Sequence, residues 1–234
     1  MNSPASPLKI LYEDNHCLAV AKPAGWLTMG DSTGDLTLLD AAKAYVKERY
    51  RKPGAVFLGV VHRLDRPVSG VVLFARTSKC ASRLSAQFRE HRVEKVYQAV
   101  VTGSVPSASG ELTDEVIKDR TTNRVRISPA ATSASQSCCL SFHRLARRDG
   151  LTLLEIRPQT GRSHQIRVQL AHQGWPIVGD RKYGSDMPFH RGEIALNASS
   201  LQFDHPVRGE PVQLTCPTPL TWSRWRFRHA ETDA

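Results

Sequence analysis

Short apolar segments separated by turn residues recur along most of this chain, and they constrain its fold more than any other feature. They predict strands at residues 9–13, 17–21, 71–75, 93–102, 111–118, 125–128, 136–145 and 151–157. Helical periodicity is confined to residues 36–51, 78–91 and 161–172. Many strands with three scattered helices predict an α+β fold, in which helices flank a mostly antiparallel mixed sheet.

Residues at the helix ends carry their own predictions. Ser78 is the predicted N-cap of the second helix and Thr160 that of the third, because hydroxyl side chains accept hydrogen bonds from the first free backbone amides. Gly174 is predicted to end the third helix at its C′ position, where a left-handed backbone is common.

The charge balance points to a polyanionic partner. The 234 residues include 32 Lys and Arg against 22 Asp and Glu, which gives a formal net charge of +10 and a pI near 9.7. Such an excess is typical of proteins that bind nucleic acid. The alternative is a basic surface that only aids solubility.

Several classes of protein are disfavoured by what the sequence lacks. The five cysteines form no C-x-x-C pair, so free thiols in a reducing compartment are expected rather than a disulfide framework. The histidines show no zinc-binding spacing, and we predict no metal site. No apolar stretch reaches the ~18 residues of a membrane helix and no signal peptide is visible, so we expect a cytoplasmic protein with no membrane partner.

A first cluster of ionisable side chains lies at residues 62–70, between two apolar segments. It contains His62, Arg63, Asp65 and Arg66. A loop of this kind can hold a carboxylate at the edge of a cleft, and neighbouring arginines stabilise the ionised form that a nucleophile must have. The alternative is a solvated turn with local Arg–Asp pairs.

Three further segments are candidates for binding or catalysis. Residues 160–167 open the third helix, where Arg162 and Arg167 add positive charge to an end that already favours anions; surface arginines at a helix start are the alternative. Tyr97 shares a strand face with Lys95 and Ala99 and is suited to stacking on a base or relaying a proton, although a core tyrosine fits as well. Residues 120–126 carry Arg120, Arg124 and Arg126 and form a candidate RNA-facing element.

Taken together, these segments resemble the RluA family of RNA pseudouridine synthases. The family's nucleophile segment, H-R-L-D-x-x-T/S-S-G, is matched by His62, Arg63, Leu64 and Asp65 with Ser69 and Gly70. Its tyrosine segment, K-x-Y-x-A, is matched by Lys95, Tyr97 and Ala99. Its arginine segment, T-G-R-x-H-Q-I/L-R, is matched by residues 160–167. Two shorter motifs also agree: K-P-x-G at Lys22, Pro23 and Gly25, and G-D-x-x-Y-G at Gly179, Asp180, Tyr183 and Gly184. The resemblance runs in order from about residue 9 to residue 217.

The resemblance implies a fold, a reaction and a set of roles. It implies one catalytic domain over residues 9–220, between short tails at 1–8 and 221–234, that isomerises uridine in structured tRNA or rRNA without a cofactor. Asp65 would be the nucleophile for a flipped uridine, Arg162 would pair with Asp65, and Tyr97 would pack on the base and assist proton removal at C5. Arg63 would fill the gap left by the flipped nucleotide. The further RNA-binding residues are His62, Arg66, Ile166, Arg167, Arg124 and Arg126. A monomer without an obligate protein partner is expected.

Three departures from the family pattern and two competing functions remain. Val68 replaces a frequent Thr, Asn197 replaces the His of L-H-A, and Gln169 replaces a usual His. The S4-type RNA-binding domain of several relatives is expected to be absent, so the catalytic domain itself would select the RNA.

The competing functions are an RNA-binding protein that has lost its chemistry, and a glycoside or nucleoside hydrolase, which usually needs a second carboxylate.

Overall fold

The computed structural model describes residues 8–30, 34–225 and 227. Eleven β-strands and three α-helices lie within these ranges. The chain divides into two compact units, one within residues 1–94 and 198–217 and the other within residues 95–197 and 218–234. None of the helices in the described ranges combines the length and apolarity needed to cross a membrane.

The first unit is built on a sheet with strand order β1-β2-β4-β10, in which β3 also pairs with β4 and β11 with β10. The pairings β1–β2, β2–β4, β3–β4 and β10–β11 are all antiparallel. Its elements are β1 (Ile10–Glu13), β2 (Cys17–Lys22), α1 (Leu38–Arg49), β3 (Gly59–Val60), β4 (Ser69–Ala75), α2 (Ser78–Arg89), β10 (Leu196–Asp204, from Ala198 onward) and β11 (Pro211–Thr215).

Strand β4 is the centre of the first unit. All seven of its residues are buried, as its continuous apolar sequence predicts, and Cys80 and Leu84 of α2 belong to the same core cluster as Leu73. Gly70 has a φ of +123°, and a Cβ there would overlap the backbone of Ala198. Only glycine fits this position, which fixes the start of β4 immediately after the loop that carries Asp65.

The second unit contains a sheet with strand order β5-β9-β8-β6-β7, and every pairing in it is antiparallel. Helix α3 packs on this sheet through Val168, in a core with Val116, Val125, Cys138 and Tyr183. The elements are β5 (Glu94–Thr102), β6 (Ser109–Asp119), β7 (Arg124–Ser128), β8 (Gln136–Arg148), β9 (Leu151–Pro158) and α3 (Gln165–His172), with short 3-10 helices at Arg181–Tyr183 and Leu220–Trp225.

The predicted elements are found, with corrections at the helix ends. The first predicted helix is shorter at both ends: Thr37 and Asp40 form a capping box that fixes its start, and Tyr50 is its C-cap. Thr77, not Ser78, caps α2 by accepting a hydrogen bond from the amide of Cys80. Gly174 takes the predicted left-handed conformation after α3, with a φ of +78°. The predicted domain bounds 1–8, 9–220 and 221–234 stay a prediction.

The start of α3 corrects the prediction for Thr160. The helix begins at Gln165, and the residue before it, His164, has a left-handed φ of 53° and makes no side-chain capping bond. Thr160 does not cap the helix, because its hydroxyl accepts a hydrogen bond from the amide of Cys139 at 3.0 Å. Residues 161–164 therefore form a loop that carries Arg162 outside the helix.

Candidate functional site

The Asp65 loop joins β3 to β4 and is fixed on both sides of the carboxylate. Leu64 is 6% exposed, and Thr28 holds its backbone twice: Thr28 Oγ1 donates to Leu64 O at 3.0 Å and accepts from Leu64 N at 3.2 Å. Val68 is 3% exposed, and its amide donates to Asp65 O at 3.1 Å. Asp65 itself is half-buried. Two buried apolar neighbours thus limit the movement of this carboxylate.

A buried lysine supports the same loop. Lys22 is 1% exposed, and its Nζ donates to the carbonyls of Pro23 at 3.0 Å, Trp26 at 2.7 Å and Arg66 at 3.1 Å. A buried ammonium group needs such acceptors to offset its desolvation. Sequence reasoning matched Lys22 only as part of K-P-x-G and did not predict that it would bond to the residue after Asp65.

His62 is held by two elements of the first unit. Its Nε2 accepts a hydrogen bond from the amide of Leu73 at 2.9 Å. Its ring stacks on Phe88 of α2 with a centroid distance of 4.8 Å. These contacts favour a positioning role for His62, and its RNA contact stays a prediction.

The two arginines beside Asp65 differ in their partners. Arg66 donates from Nε to Gly25 O at 3.1 Å and forms a 2.8 Å ion pair with Asp35. Arg63 is exposed and, among the described residues, makes no ion pair with a carboxylate. Arg63 is therefore the better placed of the two to contact an anionic or aromatic ligand.

Gln165 organises the loop of Arg162 in the second unit. Its Oε1 accepts from Thr160 Oγ1 at 2.8 Å and from the amide of Arg162 at 3.1 Å, while its Nε2 donates to Cys139 O at 3.0 Å. The Arg162 side chain is exposed, and its Nε donates to Ser137 O at 3.2 Å. The loop backbone is thus fixed while most of the guanidinium faces solvent.

Tyr97 lies on β5, opposite Ile156 of β9, and is half-buried. Lys95, on the same face of the strand, donates from Nζ to Thr160 O at 3.3 Å. Burial lowers the pKa of Lys95. Lys95 therefore connects the strand of Tyr97 to the loop of Arg162 within the second unit.

Arg167 and Ile166 are in the interior rather than on a surface. Ile166 is 7% exposed and Arg167 is 5% exposed. Arg167 pairs with Asp180 through two bonds, Nε to Oδ2 at 2.7 Å and a terminal nitrogen to Oδ1 at 2.9 Å, and it lies over the ring of Tyr183. Burial and this pairing argue against the predicted RNA contacts of both residues and favour a structural role.

Arg124 and Arg126 are exposed on β7 and border a surface groove of about 650 Å³, and their RNA contacts stay a prediction. The floor of the groove is apolar and includes Val125, Ile127 and Val168. Cationic borders around an apolar floor suit a nucleic acid strand, whose bases are apolar on their faces and whose backbone is anionic.

One group of potential metal ligands occurs in the described ranges: atoms of Asp14, Cys17 and His205 lie within 4.8 Å of one another. Asp14 Oδ1 already accepts from the amides of His16 and Cys17 at 2.8 and 2.7 Å, and its Oδ2 contacts His205 Nε2 at 2.8 Å. Burial raises the pKa of the Cys17 thiol to about 12. Because metals bind thiolates, these contacts favour a structural hydrogen-bond network.

Comparison with known proteins places these residues in a family context. The model of the RNA pseudouridylate synthase family matches residues 16–172. A tRNA pseudouridine synthase C from Pectobacterium carotovorum subsp. carotovorum is 37% identical, with 92% of this chain and 60% of the relative covered. A ribosomal large subunit pseudouridine synthase D from Xanthomonas campestris pv. campestris is 36% identical, with 91% and 66% covered. This chain thus spans less than two thirds of either relative.

Other relatives extend the similarity over more of their own length. A tRNA pseudouridine synthase C from Yersinia pestis is 35% identical, with 92% of this chain and 88% of the relative covered. Among solved structures, human RNA pseudouridylate synthase domain containing 1 is 27% identical with a TM-score of 0.74, over 93% of this chain and 87% of that one. Human RNA pseudouridylate synthase domain containing 4 shares the fold, with a TM-score of 0.79 at 21% identity over 95% of both chains.

Proposed function

The chain belongs to the RluA family of RNA pseudouridylate synthases, and from this premise we propose that it isomerises uridine in structured tRNA or rRNA to pseudouridine. The family match over residues 16–172 carries the proposal, because it includes the segments of Asp65, Tyr97 and Arg162 together. The net charge of +10 supports a polyanionic substrate.

The proposed reaction is an isomerisation, so the product has the same composition as the substrate. The C1′–N1 bond breaks, the uracil turns, a C1′–C5 bond forms and the C5 proton moves to solvent while N1 gains a proton. The reaction is redox-neutral and requires no energy input, which supports the prediction that it needs no cofactor. The target uridine must leave the base stack to be reached, as in other enzymes that act on a single base.

Asp65 is the proposed nucleophile. A carboxylate that attacks a reacting carbon must be ionised and held in one orientation, and the loop geometry supports the second condition. Leu64 and Val68 are buried on either side of Asp65, and Lys22 and Thr28 hold the neighbouring backbone carbonyls. The half-buried carboxylate remains accessible to a ligand.

Tyr97, Arg162 and Arg63 have proposed roles that follow from the resemblance. Tyr97 would pack on the uracil and assist loss of the C5 proton, Arg162 would keep Asp65 ionised through a charge-assisted hydrogen bond, and Arg63 would fill the space left by the flipped nucleotide. Exposure of Arg63 and Arg162 and partial exposure of Tyr97 support these roles. A monomeric state, the lack of an obligate protein partner and a cytoplasmic location stay predictions.

Two RNA classes, tRNA and rRNA, are candidate substrates. Relatives named for tRNA and for the large ribosomal subunit match at 37% and 36% identity, so identity does not favour either. Pseudouridine mapping on separated tRNA and rRNA fractions, from cells with and without this gene, identifies the class directly.

The central prediction concerns Asp65. Complementation with the wild-type gene should restore the modified uridines, whereas Asp65→Asn should restore none, because the amide keeps the size of the carboxylate but is not a nucleophile. We expect a rate loss of at least about a thousandfold for the purified variant. Carbodiimide-dependent reverse-transcription stops measure the product at each site.

The control for this variant is Glu48→Gln, which alters an exposed carboxylate on α1 of the same unit. It should retain activity. Normal turnover by Asp65→Asn would overturn the nucleophile assignment. Tight RNA binding by the purified wild-type protein, with no pseudouridine formed on any RNA, would instead favour an RNA-binding protein without the chemistry.

A further inference from the structure

A basic recess lies in the second unit beside the loop of Arg162. It has a volume of about 410 Å³, and its charged lining residues are Lys118, Arg120 and Arg162, joined by the uncharged polar residues Gln136 and Ser163. Neither Lys118 nor Arg120 is part of the motifs that carry the family resemblance.

The fold brings these cations together from two segments. Val116 and Lys118 share a face of β6, and Arg120 follows directly after the end of that strand. Val116 and Val125 are 3% and 2% exposed and form the apolar floor of the recess. Arg162 is presented from the loop before α3, and Lys118 Nζ reaches Ser163 Oγ of that loop at 3.4 Å.

The recess lacks a compensating negative charge. Its lining includes no carboxylate, and within residues 8–30, 34–225 and 227 no carboxylate forms an ion pair with Lys118, Arg120 or Arg162. Asp119 is close in sequence, but its oxygens accept from the amides of Thr121 and Thr122 and from the Thr122 hydroxyl. In the proposed function Arg162 pairs with Asp65, which leaves Lys118 and Arg120 at this recess, and their like charges repel one another and favour a bound anion.

We propose that this recess, beside the Arg162 loop, binds a phosphodiester group of the RNA backbone. The proposal rests on the proposed function and extends it, since it adds Lys118 to the RNA-binding residues and assigns Arg120, already a candidate RNA-facing residue, to a phosphate contact. A phosphate offers several acceptor oxygens, and Lys, Arg, Ser and Gln side chains supply matching donors. The contact fixes the register of the RNA and does not read its sequence.

The test uses the full chain with single-charge variants at exposed positions. Lys118→Gln and Arg120→Gln should each weaken binding of unfractionated tRNA and of rRNA fragments roughly three- to tenfold near 0.1 M salt. Each should also reduce the slope of log affinity against log salt by about 0.7 to 1. At saturating RNA, kcat should be unchanged while KM rises.

Arg147→Gln is the matched control. Arg147 is exposed on the same sheet, about 35 Å of extended strand away from Gln136 along β8. It should change neither affinity nor salt slope. Thermal unfolding of all three variants should match the wild type, which excludes misfolding as the cause of weaker binding.

The outcomes separate the recess from the reaction. Equal losses for Arg147→Gln and Lys118→Gln would overturn the proposal, because net charge alone would explain them. Unchanged affinity and salt slope in both recess variants would overturn it as well. If the recess variants weaken RNA binding while the wild type forms no pseudouridine, the proposed function fails and the phosphodiester site stands.

Discussion

At the scale of single residues, two arginines pack on the ring of Tyr183 but differ in burial and in ion pairing. The guanidinium of Arg167 lies 5.0 Å from the Tyr183 ring centre and is buried in a two-bond pair with Asp180. That of Arg124 lies 5.8 Å from the same centre and is exposed. Burial therefore decides which of the two stabilises the fold and which is available to a ligand.

Replacing Arg167 should be strongly destabilising. Arg167→Met leaves the carboxylate of Asp180, which is 1% exposed, without its counter-ion. We expect a loss of about 3–5 kcal/mol in the free energy of unfolding, because an uncompensated buried charge is costly. Urea denaturation measures it, and Arg124→Gln is the control, with an expected change below about 0.5 kcal/mol. Similar losses in both variants would refute the structural role of Arg167.

The site residues show how far sequence patterns reach. The motifs single out Asp65, Tyr97 and Arg162 because each lies in a short segment of fixed composition. The motifs do not predict that Lys22 holds the Asp65 loop or that Gln165 holds the Arg162 loop. Their bonds go to the carbonyls of Arg66 and Cys139, which are 44 and 26 residues away in the chain. No local pattern predicts which distant carbonyl a buried side chain will meet.

At the scale of elements, the start of α2 tests how a hydroxyl caps a helix. The sequence predicts Ser78 as the cap, but the residue before it, Thr77, has the extended backbone of an N-cap, with φ of −138° and ψ of 155°. Its Oγ1 accepts from the amide of Cys80 at 3.2 Å. Ser78 is the first residue of the helix, and the hydroxyl of Thr77 accepts the hydrogen bond from the Cys80 amide in its place.

Thr77→Ala should lower the free energy of unfolding by about 1 kcal/mol, because the amide of Cys80 loses its capping acceptor. Ser78→Ala should be neutral or slightly stabilising, since alanine is the better helix former. Both positions are exposed, so packing differences are small. Thermal unfolding of the two variants gives the comparison, and the reverse order would show that Ser78 is the cap, as the sequence predicted.

Element type was easier to predict than element ends. Strand β4 is identified by its apolar run, and α1 by helical periodicity over residues 36–51. The buried residues of α1 are Leu38, Ala42 and Val46. Helix α3 starts four residues later than predicted because the Gln165 side chain holds the preceding loop and His164 turns left-handed. That arrangement depends on contacts with β8, which a pattern along α3 does not contain.

At the scale of the whole molecule, the first unit is assembled from two stretches of chain that are far apart in sequence. Asp14 joins them: its carboxylate contacts His205 Nε2 at 2.8 Å and an Arg208 nitrogen at 3.1 Å, across separations of 191 and 194 residues. Closing such a long loop has a high entropic cost, so the contacts at its ends matter for the stability of the unit.

The Asp14 contacts predict a dependence of stability on pH. Burial alone would raise the pKa of Asp14, but hydrogen bonds from the amides of His16 and Cys17 and from Tyr12 and His205 lower it well below its ordinary value. A lowered pKa in the folded state means that the carboxylate contributes stability above about pH 4, and that this contribution is lost as the pH falls further.

Asp14→Asn should therefore destabilise the protein by about 1–3 kcal/mol at pH 6, and its difference from the wild type should shrink between about pH 4 and pH 2. Urea denaturation across this range measures the difference. Asp149→Asn is the control, because that carboxylate is 84% exposed and should give a curve parallel to the wild type. A difference in free energy of unfolding between Asp14→Asn and wild type that does not change with pH would contradict this prediction. The loss would then come from altered packing of the amide, and the network would stabilise the unit without an ionised carboxylate.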